Sequence, residues 1–250
     1  RRHHHFVHFA RIFMLLLFLT VWELFADFHI IDSFFFSSPS RVVACFVRMV
    51  SERSLFTHIG ITLTETVISF FLVALVSLSA ATLLWYSRRL SEILEPFLVV
   101  LNSLPKSALA PLLIVWLGTG MDTIIAAGIS VAIFGAIINL YTGFLQADPE
   151  KLLLIRTLGG TRRDCFFKVV LPASIPVILS NMKVNIGLSL VGVVIGEFLA
   201  ARRGLGYLII YGSQVLQLDM LITSILLLCI IAMGLYQLLQ FAEHCYKKKV

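Results

Sequence analysis

The stretch DPEKLLLIRTLGGTRRDCFFKVVLP, Asp148 to Pro172, lies as a polar island between two apolar runs of membrane length. Asp148 suits an N-cap, Pro149 the first helical position, and Glu150 the positive end of the helix dipole. Gly159-Gly160 predicts the stop, because residues without Cβ adopt the left-handed C-cap conformation. Thr161 with Asp164 then forms a capping-box variant that starts a second helix, which Leu171-Pro172 is expected to end. The island therefore reads as helix, glycine turn, helix. It carries five basic residues, Lys151, Arg156, Arg162, Arg163 and Lys168, beside Leu152, Leu153, Leu154, Phe166 and Phe167. A merely solvated loop has no need of those apolar side chains, so the island is expected to be a docking element.

Around it the chain is membrane-like. Mean hydropathy is +0.95, with 59% apolar and 14% charged residues, against about 25% charged in soluble domains. A crossing of the hydrocarbon core takes about 20 residues. Six stretches qualify: Phe6–Phe25, Thr62–Tyr86, Ile93–Leu117, Thr123–Phe144, Pro176–Ala200 and Met220–Phe241. The fold class expected is all-α and polytopic. The first stretch contains Arg11 and is read as a retained helix, because Glu23 and Asp27 stand where a cleavage site would be. Three regions follow: 1–61, a first span with an outer amphipathic segment; 62–245, the core with its loop at 148–172; and 246–250, a basic tail.

Six spans place both termini on one side. Thirteen Lys and Arg fall on that side with the island and five on the other. The positive-inside rule then makes the termini and the island cytoplasmic. The net charge of +6 is thus a topology signal, and no nucleic-acid partner is expected. His3, His4, His5 and His8 are read as solvating the leading end rather than holding a metal. The four cysteines give no disulfide framework.

Two spans carry polar residues. In the third, Asn102, Ser103, Pro105, Lys106 and Pro111 interrupt an apolar helix, so a kink or local unwinding is expected. Such backbone survives at membrane depth only inside protein or along a wet cavity. Lys106 costs about 2.5–3.5 kcal/mol at mid-membrane, which argues against a lipid-facing position. In the fifth span stand Asn181, Lys183, Asn185 and Glu197, with Gly192 and Gly196 at the spacing that lets helix backbones meet. Lys183 is expected to snorkel to the interface. Asn102, Ser103, Pro105, Lys106, Asn181, Asn185 and Glu197 are the pathway candidates, and the cation Lys106 suits an anionic solute, a gate and a structural role equally.

Outside the core, Ser38 or Ser40 caps a short amphipathic helix through SRVVACFVRMV, and RRGLGYL reads as a glycine-broken outer turn. The chain has no GxxxxGK[ST] phosphate loop, HExxH, CxxC, nucleophile elbow or TVGYG filter. What remains is a polytopic protein with a kinked pathway helix and a cytoplasmic docking module, which a transport channel powered by a separate subunit fits. The rival is a self-contained secondary transporter or channel, which calls for several buried acids or inverted repeats.

The segment from Arg156 to Phe198 resembles the coupling loop and following span of binding-protein-dependent permeases of ATP-binding-cassette importers, of the nitrate/sulfonate/taurine type. Trp22-Glu23, SSPSRVV at 37–43, SLPKSALAPLLIVWLGTG at 103–120 and GLGYLI at 204–209 extend the resemblance over nearly the whole chain. Gly159 and Leu171-Pro172 stand at the family's separation. The EAA positions are instead Leu153, Leu154 and Ile155, and Glu65 stands where relatives commonly carry a basic residue. The resemblance implies a type I importer permease in the bacterial cytoplasmic membrane. It also implies a partner ATP-binding subunit dimer that holds ATP and Mg, an extracytoplasmic binding protein and a second permease subunit. This chain would bind no cofactor and catalyse no covalent step. The implied ATPase contact comprises Glu150, Leu153, Leu154, Ile155, Arg156, Gly159, Arg162, Arg163, Lys168, Leu171 and Pro172.

Overall fold

The computed structural model describes the backbone of residues 2–28 and 36–247, and the side chains of those residues apart from 2–12, 15, 246 and 247. The expected first span lies on α1, Arg2–Asp27. Its Arg11, the histidines at 3–8 and the end of the basic tail fall outside the described side chains.

Three helices make the centre of the bundle: α3, Ser54–Tyr86; α6, Met121–Leu145; and α9, Leu171–Ala200. They pack mutually, and their small residues explain how closely. A Cβ on Gly192 would come within 2.7 Å of the Ala127 carbonyl oxygen, and one on Gly196 within 2.9 Å of the Ile124 Cα. The GxxxG spacing of α9 is therefore a true backbone-to-backbone contact with α6.

Around this centre stand α2, Pro39–Ser51; α4, Arg88–Ser103; α5, Lys106–Leu117; α10, Leu205–Gln214; and α11, Leu218–Lys247. Ser38, not Ser40, caps α2 by accepting from the Arg41 amide. The apolar face of α2, Val42, Cys45 and Met49, is buried, and α2 packs on α11 and α3. The segment read as an outer turn, 202–208, runs into the ten-residue helix α10, whose start its glycines concealed.

Among the described residues, four helices are long and apolar enough to cross a membrane, and α4 with α5 makes a fifth if counted as one broken span. That pair corrects the scale of the expected kink. The two helices meet at 97° across Leu104-Pro105. Proline at 105 removes a donor and disfavours helical backbone at Leu104, which is extended (φ −64°, ψ 141°).

The island also differs from expectation at one end. Helix α7, Pro149–Thr157, and helix α8, Arg162–Cys165, form as read. Leu171-Pro172, however, does not end a helix. A π-helical turn, Phe166–Val170, joins α8 to α9, and helical backbone runs unbroken from Arg162 to Ala200. In this turn the Leu171 amide reaches back five residues to the Phe166 carbonyl. The register shift comes just before Pro172, which has no N–H to offer, so the wider turn accommodates it.

Candidate coupling surface and translocation path

Asp148 begins α7 by accepting from the Glu150 amide at 3.0 Å. At the other end the Gly160 amide bonds to the Ile155 carbonyl and the Gly159 amide to that of Arg156. Those are the two bonds of a Schellman motif, and Gly159 has the left-handed φ of +81° it requires. Thr161 and Asp164 then complete a reciprocal capping box. Each helix end is thus satisfied by local chemistry, and the turn is stiff.

The island is held to the bundle by aromatics. Phe166 is 3% exposed and touches Trp85, Tyr86 and Phe144. Arg162 lies over the Trp85 ring and donates to its carbonyl oxygen. Leu152 and Leu171 pack against the same cluster. On the opposite face Leu153, Leu154, Leu158 and Phe167 are exposed, Leu158 to 76%. Glu150, Arg156, Arg163, Lys168 and Pro172 are exposed too, while Ile155 is half-buried. The island therefore presents an apolar patch with basic residues around it.

The candidates of the third span gather at the 97° break. Asn102, Ser103 and Pro105 are exposed there. Lys106 donates from Nζ to the carbonyls of Leu101 and Asn102, at 2.6 and 2.8 Å, and lies near the Phe134 ring. Its ammonium stitches the frayed end of α4, whose last carbonyls have no helical partners.

On α9, Asn181, Asn185 and Glu197 are all buried. Glu197 is fully buried and faces no wet wall. Its carboxylate accepts from the Thr62 hydroxyl at 2.6 Å and from the Gly206 amide. Thr62 accepts in turn from the Leu205 amide at 2.8 Å, and His58 Nδ1 from the Gly204 amide at 3.0 Å. The first amides of α10 are thus capped by side chains of α3 and α9, with the acid at the positive end of the helix. Glu65, also buried, lies against Glu197. Sequence reading could not pair residues so far apart, and it missed Thr62 and His58. Lys183 does not snorkel: its ammonium meets Glu243 of α11 at 2.6 Å.

Residues 73–242, two thirds of the chain, match the family profile of the binding-protein-dependent transport system inner membrane component. The chain belongs to this family of permeases. It is 30% identical over 226 residues to a probable ABC transporter permease protein of Haemophilus influenzae, covering 90% of this chain and 91% of that protein. It is 28% identical to the formylaminopyrimidine transport permease protein ThiX of Halalkalibacterium halodurans, over 77% of this chain and 76% of the other. With the putative aliphatic sulfonates transport permease protein SsuC of Bacillus subtilis the identity is 26%, over 85% and 77%. In fold it is similar to a chain of the inward-facing MetNI methionine ABC transporter, at TM-score 0.66 and 20% identity, over 80% of this chain and 97% of that one. The permease is accordingly a membrane-embedded, non-catalytic component of an ABC importer. Its family implies an ATPase and a substrate-binding protein as partners.

Proposed function

We propose that the permease couples to a cytoplasmic ATP-binding subunit dimer through residues 148–172, with both termini on the same side as the island. The exposed Leu153 and Leu154 on a helix capped at both ends, Leu158 just after it and Phe167 in the π turn, with Arg156, Arg163 and Lys168 near them in the chain, carry this reading. Burial of such a patch supplies affinity, and the basic residues orient an acidic cleft. ATP and Mg belong to that partner. Its closure moves the island, and two copies of the permease switch together from inward- to outward-facing, by alternating access. A binding protein delivers the solute on the far side. The solute is a small polar nutrient: relatives are named for the transport of formylaminopyrimidine, aliphatic sulfonates, taurine and riboflavin.

The test is co-purification. The double variant Leu153→Asp, Leu154→Asp is expected to insert and fold normally but to lose its hydrolase on solubilisation. Retention of the hydrolase at normal stoichiometry overturns the assignment, as does labelling that places 150–168 outside the cell.

A further inference from the structure

Between α6 and α9, where the two helices leave the membrane toward the island, lies an open cleft of about 470 Å³. That volume is within the usual range of small-molecule sites. Asn139, Thr142 and Gln146 line it from α6, and Ser180 and Asn181 from α9, with no charged side chain in the wall. The first four are exposed, whereas Asn181 is 6% exposed.

The orientation of Asn181 is fixed by its neighbour. Its Nδ2 donates to the Ala136 carbonyl at 3.4 Å, and turning the amide over would set oxygen against oxygen. The atom left is Oδ1, which is buried with no partner. An unpaired buried acceptor costs about 1–3 kcal/mol, so a donor that reaches it is favoured there.

Taking the path-lining reading above as its basis, we infer that this cleft binds an uncharged solute bearing an N–H donor, an amide or nitrogen heterocycle, directed at Asn181 Oδ1. A sulfonate offers only acceptors and so leaves that oxygen unpaired. No cation lines the cleft to pair with an anion. Lys183 is paired with Glu243, and Lys106, bound to the carbonyls of Leu101 and Asn102, is not among the lining residues. The cleft's place adds a mechanism. Its two walls are the helices that flank the island in the chain, so a shift of the island changes the opening between them.

The experiment follows maleimide labelling of Val184→Cys, at the cleft's edge, in full-length permease in lipid nanodiscs, read peptide by peptide. Millimolar 4-aminopyrimidine is expected to slow labelling and ethanesulfonate to leave it unchanged. Asn181→Leu should weaken the aminopyrimidine's protection about fivefold to tenfold, the range of one lost hydrogen bond. Asn139→Leu, an exposed change on the facing wall, should weaken it in the same direction without disturbing the buried α9 face. Equal or better protection by the sulfonate, no protection by either compound, or unchanged protection in both variants overturns the inference. The assay uses neither ATP nor hydrolase, so its failure leaves the coupling assignment standing, and a failure of coupling leaves the labelling result standing.

Discussion

Glu197 illustrates how an acidic side chain inside a membrane protein can be a scaffold. Its position near the end of a span makes it a candidate for solute or ion contact, yet its carboxylate is taken up by a hydroxyl and the leading amides of α10. Thr62 stands between the two, donating to Glu197 and accepting from Leu205. Thr62→Val removes both bonds, leaves the Leu205 amide unpaired, and is expected to cost about 1–3 kcal/mol. Thermal unfolding in detergent would show the loss, and amide exchange at 204–206 should accelerate locally. An unchanged melting temperature together with unchanged exchange would contradict the capping role. Lys183 and Glu243 make a similar case. Lys183→Met or Glu243→Leu alone leaves one charge without its partner, whereas the double change removes both. The single variants should therefore melt lower than the double one, a sign that a double-mutant cycle reads directly.

Among the elements, the island was the most legible from sequence, because caps and glycine turns are local chemistry. Asp148, Gly159, Thr161 and Asp164 each do what their residue types dictate. The end at Pro172 was misread for an equally physical reason. Proline breaks an α-helix, but a π turn supplies a wider ring that the pattern of residue types does not announce. Helix α10 was hidden by the glycines at its start and because two of its caps, His58 and Thr62, come from α3, distant in the chain. Gly159→Val tests the turn itself. Forcing a β-branched residue to φ +81° costs about 1–2 kcal/mol, and the expected result is full membrane insertion with nucleotide hydrolysis no longer matched by uptake. Uptake at the normal ratio to hydrolysis would count against Gly159 as the pivot. Gly192→Leu tests the α6–α9 seam. With backbone 2.7 Å from the new Cβ, the helices must separate, and a loss of about 1–3 kcal/mol or more is expected, visible as reduced folded yield.

For the molecule as a whole, composition and span length were enough to give an all-helical membrane protein, and five of the six expected spans correspond to helices or to the bent pair. The sixth lies on α1, whose early side chains are outside the described residues. The partition of polar residues was less legible. Asn102, Ser103 and Lys106 gather at one break, Asn181 lines a cleft, and Glu197 braces the far end of the bundle. Membrane depth alone could not sort these roles, since it says that a polar residue avoids lipid but not what it faces instead. The assembly gives its own prediction. If two copies share the work, cross-linking in native membranes should yield a permease dimer whose abundance follows that of the hydrolase. A species that remains monomeric beside abundant hydrolase would contradict it.

The π turn has a mechanical consequence. Because it keeps helical backbone continuous from Arg162 to Ala200, 39 residues, the permease contains one shaft of about 58 Å at the usual rise per residue. A flexible hinge at Pro172 would have absorbed a push as local bending. On the coupling proposed above, no loop separates the elbow from the segment that precedes α10, and Pro176 is the position inside that helix that gives up a backbone bond.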